Sequence, residues 1–453
     1  MSVSTQRQDP VGVSPSDLLA QRSYVVALVV GALLGIPVAA AAYLFLSFLD
    51  VTQEYLFSTL PGALGLQPVP AWWPLPVLGL SGVLVGLIIQ YLPGTAGHEP
   101  AEGFRPSGAV APVELPGIIL AAAATLGLGV VLGPEGPLIA IGSGLGVLAI
   151  RLLKRDAPTQ AVTVIAAAAS FAAISTLLGS PLAAAFLLME AAGVGGPMLG
   201  VVLVPGLLAA GIGSLIFVGL DNLTGLGVFS LAIPDVPSFT SPTVAEFVWA
   251  IVIGCAAAVL GGTFRRLALA LQPVVARNRV TMTTLAGLSI GALAIVFAVV
   301  TGRSTSDVLF SGQSALPSLI EDAGDWTALA LVALVVCKGL AYVAALSAFR
   351  GGPTFPAMFI GAAGGIALAE LPGLPMIAGA AMGIAAMTVV MLGLPLTSVL
   401  LTAIFLSADA LALTPLIIVA VVVAYVADAR LRPAERDDAL SVASEPDASP
   451  AAS

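Results

Sequence analysis

Of the chain's 453 residues, 58% are hydrophobic and 9% charged, against a charged share of about 25% in soluble globular domains. That balance and a mean hydropathy of +1.07 exclude an ordinary soluble enzyme or a nucleic-acid-binding domain and point to an all-α polytopic membrane protein in a lipid bilayer. The net charge of −9 comes largely from polar ends and loops. With no basic patch interleaved with aromatics, nucleic acid is not an expected partner.

In chain order, residues 1–23 read as a polar N-terminal tail. The first apolar span, 24–49, is too long for a signal peptide and lacks a small-residue cleavage pattern. Further apolar segments follow at 71–92, 113–132, 137–150, 160–192, 197–220, 244–271, 282–301, 327–348, 356–370, 375–393 and 395–427. Their lengths scatter around the roughly 20 residues of a simple span, which predicts broken and re-entrant helices. Residues 221–243 are rich in Pro, Ser, Thr and Gly and read as a linker. Arg265, Arg266, Arg277 and Arg279 form a basic cluster of the kind that marks a cytoplasmic loop. Residues 428–453 read as a disordered tail. Cys255 and Cys337 lie in apolar segments and read as packed hydrophobes rather than metal ligands; no metal or cofactor is expected.

The stretch LGPEGPLIAIGSGLG at 132–146 stands out. Glu135 sits between two Gly-Pro steps in an apolar tract, where an ionised carboxylate is costly and therefore a functional candidate. Pro137 is placed to open a helix running to about Ile150, putting Glu135 at a helix N-terminus, where free N–H groups favour negative charge. A carboxylate that only caps its helix is the plainer reading of the same position. The stretch has a counterpart: aligning Pro137 with Pro356 pairs Gly133 with Gly352, Pro134 with Pro353, Gly142 with Gly361 and Gly146 with Gly365. Beyond it, Leu178-Gly179 before Pro181-Leu182 matches Leu392-Gly393 before Pro395-Leu396. The expected organisation is thus a first transmembrane repeat at 24–220 and a second at 244–427. The first copy is followed by Arg151, Lys154 and Arg155 and the second by the uncharged-to-acidic ELPGLP, so the two are expected to be inverted.

These motifs resemble the CLC family of chloride channels and proton/chloride antiporters, in the form of a divergent prokaryotic-type member without cytoplasmic regulatory domains. GPEGP at 133–137, SPLAAAFLLME at 180–190 and GGPTFP at 351–356 are similar to three signatures of that family, in the same order. The resemblance implies a homodimer with an anion pathway in each subunit, Glu135 as the gating carboxylate, and an anion held by Gly133, Glu135, Gly136, Gly352, Thr354, Phe355 and, where the family has a coordinating serine, Gly97. It also implies a multi-pass protein of the cell membrane with cytoplasmic termini.

Departures from the pattern bear on mechanism. Pro134 replaces a basic residue, and Pro134 and Pro353 each remove a backbone donor. The family's internal proton-relay glutamate falls at Ala191, next to Glu190; its pore tyrosine falls near Ala408, Asp409 or Ala410, none of them tyrosine. Glu190 and Asp409 are therefore the candidates for a proton path, Asp409 being equally readable as a solvated helix-end carboxylate. His98, the single histidine, is either a pH sensor or a loop residue, and Lys338 either a buried charge near the anion route or a snorkelling side chain. The expected function is transport of chloride or a similar monovalent anion, with a proton-coupled antiporter or a transporter of another anionic solute as alternatives. No ligand cluster, nucleophile elbow or phosphate-binding lysine loop suggests an enzyme.

Overall fold

The structure, a computed structural model, describes residues 22–104, 108–192, 197–225, 239, 241–406 and 410–432. It is helical throughout: α1 (Arg22–Glu54), α2 (Pro74–Tyr91), α3 (Leu115–Leu126), α4 (Glu135–Leu153), α5 (Thr159–Leu178), α6 (Pro181–Ala192), α7 (Pro197–Thr224), α8 (Val244–Arg277), α9 (Arg279–Thr301), α10 (Ala328–Ala348), α11 (Thr354–Leu368), α12 (Met376–Leu392), α13 (Pro395–Leu406) and α14 (Ala410–Leu431). Among the described residues, nine helical stretches are long and apolar enough to cross a bilayer, and five apolar helices of 10–17 residues are shorter. Short helices can end inside a membrane protein only where protein satisfies their terminal N–H and C=O groups. That requirement builds the site described below.

The breaks within apolar runs have local causes. The run at 160–192 is two helices, because Gly179 takes a left-handed φ of 59° that ends α5 and Pro181 opens α6. Its repeat mate does the same: Gly393, at φ 73°, ends α12 and Pro395 opens α13. Three helices run past the expected boundaries. α1 begins at Arg22, α7 continues through Asp221 to Thr224, and α14 continues through Asp428 to Leu431.

The last extension is anchored. Asp428 lies 4.0 Å from Arg265 Nη2 and accepts a hydrogen bond from Arg432 Nε at 3.0 Å, while Arg266 donates to the Leu431 carbonyl. Arg265 and Arg266 therefore stitch α8 to α14 besides contributing to the basic cluster. At about 51 Å for its 34 residues, α8 is longer than the roughly 30 Å hydrocarbon core.

Each repeat packs its motif helix on the next: α4 lies against α5, and α11 against α12. Glycine makes both contacts close. A Cβ on Gly142 or Gly146 would meet the α5 backbone at Ala169 and Ile165, and one on Gly361 or Gly365 would meet the α12 carbonyls of Gly383 and Gly379. Without hydrophobic pressure from water, close backbone approach of this kind supplies the packing energy between membrane helices. We expect Gly365→Ala to destabilise the protein by about 1–3 kcal/mol through overpacking, read as a lowered thermal unfolding midpoint in detergent. Helix α12 is buried from Ile377 to Leu392 and is apolar on every face, as a central helix must be.

Candidate functional site

The two motif helices start side by side. Gly133 N donates to Gly352 O at 2.8 Å and Gly352 N donates to Gly133 O at 2.6 Å, an isolated antiparallel bridge between repeat-equivalent residues. Pro134 and Pro353 follow as the matching N-caps of α4 and α11. Glu135 is in the first turn of α4, two residues ahead of the expected start at Pro137, and is 1% exposed. Its carboxylate interacts with its own backbone N–H in the first turn of α4, and Oε1 also accepts from Thr354 N at 2.5 Å, at the start of α11 in the other repeat. Oε2 is buried without a hydrogen-bond partner among the described residues.

Glycine is required around that carboxylate. A Cβ at Gly133 or Gly352 would overlap it, so the pairing of these two residues leaves a slot that the Glu135 side chain fills. A negative group in the slot gains the positive ends of the helix dipoles.

Three cavities surround this arrangement. One of about 40 Å3, room for a small ion or a few waters, is lined by Gly97, His98, Gly136, Gly352, Pro353 and Arg350, among others. A second, of about 230 Å3, is walled by Leu132 and Pro134 together with Asp50, Gln53 and Gln313. The chain passes from one wall to the other through Glu135. A third, of about 260 Å3, shares Arg350 with the first and includes Glu99, Gln272 and Arg279.

Of the residues singled out for an anion, Gly97, Gly136 and Gly352 line the small cavity. Gly133, Glu135 and Thr354 form the hydrogen-bonded group beside it. Phe355 is 2% exposed and packs in the hydrophobic core instead of lining the cavity. Gly97 adopts φ 91°, ψ −164°, a region open essentially to glycine. A serine would be strained there, which accounts for the lost hydroxyl. Gly97 ends a run of four positive-φ residues, after Gly94, Thr95 and Ala96, and strained backbone of this kind clusters at ligand sites.

Glu190 lies elsewhere. It accepts hydrogen bonds from Leu396 N at 2.9 Å, Thr397 N at 2.7 Å and Thr397 Oγ1 at 2.6 Å, so it caps the N-terminus of α13. Two carboxylates of the first repeat thus cap helices of the second. Asp409 falls outside the described residues. His98 borders the small cavity while its Nε2 lies 3.1 Å from Gly103 O.

Lys338 is 1% exposed and does not snorkel. Its Nζ lies within 2.9–3.4 Å of the carbonyl oxygens of Asp307, Val308, Leu309 and Phe310, which share its three N–H donors, and sits 4.5 Å above the Phe359 ring. One lysine therefore fastens the 307–310 loop, including the positive-φ Phe310, to α10 and α11. Losing hydrogen bonds from a buried charge costs about 1.5–3 kcal/mol; we expect Lys338→Met to lower stability by about that much, measurable as earlier thermal unfolding in detergent.

Two site residues were not apparent from motif reading. Tyr342 is fully buried and donates to Pro353 O at 2.7 Å, fixing the cap of α11. Arg350, directly ahead of GGPTFP, is 5% exposed and reaches the strained loop: Nε donates to Thr95 O at 3.2 Å and Nη2 to Glu99 Oε1 at 3.0 Å. The signal for Arg350 was a charge bordering an apolar motif, which the same cost argument that singled out Glu135 could have raised.

The family model described as "Voltage gated chloride channel" matches residues 82–428. A protein of Salmonella paratyphi A bearing the name of an ion-transport protein, YfeO, is 32% identical over 350 residues, covering 76% of this chain and 79% of its own. Two crystal structures share the fold. A slow cyanobacterial Cl−/H+ antiporter has a TM-score of 0.73 at 18% identity, covering 92% of this chain and 98% of its own. A CLC-type fluoride/proton antiporter has a TM-score of 0.65 at 20% identity, covering 90% and 96%. With the repeat-paired glycines, the bridging carboxylate and a family match across most of its length, this chain belongs to the voltage-gated chloride channel family, CLC, as an integral multi-pass membrane protein.

Proposed function

We propose that this protein moves chloride or a similar small monovalent anion across the cell membrane, through one pathway in each subunit of a homodimer, with Glu135 as the gate. The observation that carries the reading is the Glu135 carboxylate itself: a buried negative group held on the Thr354 N–H between two glycines occupies the place an anion would take. Protonation or displacement of the carboxylate would vacate it. Arg279, which lines the third cavity, and its neighbour Arg277 support a cytoplasmic position for that cavity, by the bias of positive charge toward that face. On this reading the repeats divide as 24–220 and 244–427, and both termini are cytoplasmic.

Uncoupled movement is the form we favour, because Ala191 stands where antiporters of the family have their internal acid and both Glu190 oxygens are engaged as a helix cap. The antiporter identity of both fold neighbours supports proton coupling as the second reading. Efflux of chloride, nitrate and fluoride from liposomes holding the purified protein, with external pH recorded together, tests both. Anion efflux without stoichiometric proton uptake is the expected result. Efflux tied to protons makes the protein an antiporter, and no efflux of any of the three rejects anion transport.

A further inference from the structure

We propose that Glu99 and Arg350 form a second gate on the same pathway, in which Glu99 occupies an inner anion-binding place as Glu135 occupies the outer one. The proposal rests on the anion-transport reading above. Arg350 lines both the 40 Å3 cavity and the 260 Å3 cavity and is the residue they share. A guanidinium has five N–H donors. Three are engaged, by Thr95 O, Phe349 O and Glu99 Oε1. The last is the one bond in that set made to a group able to leave, since the Glu99 side chain is 37% exposed while that of Arg350 is 6% exposed.

The larger cavity has the chemistry of an anion site. Arg279 and Arg350 contribute two positive charges against the single carboxylate of Glu99, and Gln272 Nε2 donates to Glu99 Oε2 at 2.9 Å. Gln272, Arg279 and Arg350 bring amide and guanidinium donors to the lining of this cavity, which suits a small anion.

An anion arriving beside Arg279 would compete with Glu99 for Arg350 and Gln272. Once Glu99 gives way, the anion lies against Arg350, which also lines the 40 Å3 cavity with Gly97, Gly136 and Gly352. The guanidinium would then compensate for the hydroxyl that Gly97 cannot supply. Arg350 is held by backbone carbonyls and stays in place while its carboxylate partner moves.

The test uses full-length protein and chloride, bromide, nitrate and fluoride as sodium salts, with anion binding measured by calorimetry in detergent and flux in liposomes. Glu99→Gln removes the competing charge. Releasing a charge-assisted hydrogen bond is worth about 1.5–3 kcal/mol, so binding is expected to tighten by about tenfold or more and flux to saturate at lower anion concentration. Arg279→Gln is expected to weaken binding without changing the response to Glu135→Gln. Arg350→Gln should abolish the Glu99-dependent part of binding; if that variant fails to fold, the Glu99 and Arg279 variants still decide. A wild type that binds and moves anions while Glu99→Gln and Arg279→Gln leave its constants unchanged overturns the second gate and leaves anion transport standing. A wild type that neither binds nor moves any of the four anions overturns both.

Discussion

Glu135→Gln is expected to raise anion flux at neutral pH by about tenfold to a hundredfold, since releasing a charge-assisted hydrogen bond frees about 1.5–3 kcal/mol. Glutamine keeps the size of the side chain and loses the charge that favours the α11 N-terminus, so it imitates the protonated gate. The pH dependence follows with its sign. In the wild type, acidification neutralises the carboxylate and weakens its hold on the Thr354 N–H, so flux increases as pH falls. In the glutamine variant flux stays high and changes little with pH. A wild type whose flux is flat with pH, or a variant with wild-type flux, would reduce Glu135 to a structural cap joining the two repeats.

The second large effect is expected from Gly352→Ala, a change that adds one methyl group and no charge. A Cβ at 352 would overlap the Glu135 carboxyl group, and Gly352 has no positive φ to forbid alanine. The side chain of Glu135 must leave the slot, losing the Thr354 hydrogen bond. Gly352→Ala should therefore behave as a released gate, with raised flux and flattened pH dependence. Because both changes act on one interaction, they are expected not to add: the double variant with Glu135→Ala should conduct like Glu135→Ala alone. Additive effects would show that residue 352 acts on the pathway independently of the carboxylate.

The features legible in the sequence are those carried by local chemistry. Glycines 142, 146, 361 and 365 aligned between the copies because each must let a neighbouring helix approach, and all four do so in the structure. Glu135 was visible because an acid in an apolar tract needs a reason. Helix breaks at Gly179 and Gly393 were only half visible, since a continuous apolar run has the same composition whether one helix or two fill it.

What sequence could not show are contacts across long separations. The Glu99–Arg350 pair joins residues 251 positions apart, and Glu135 reaches Thr354 across 219. The separation of 219 is the offset of the repeat itself, so that pairing is implicit in the alignment of the two copies, whereas no motif spacing links Glu99 to Arg350. Glu190 illustrates the same limit, because its hydrogen-bond partners, Leu396 and Thr397, lie some 206 residues away. The loss of serine at 97 was read from the motif, but the backbone angles that demand glycine there became clear only with the loop in three dimensions.

On the proposed reading, the Glu135 carboxylate occupies an anion's place. Crystals of Glu135→Gln grown in sodium bromide test it by anomalous diffraction. The expected result is a bromide peak between Gly133 and Gly352, within hydrogen-bonding distance of Thr354 N, with the glutamine side chain moved aside. A glutamine still bonded to Thr354 N, with no bromide in the slot while the same crystals show bromide elsewhere on the protein, would contradict it.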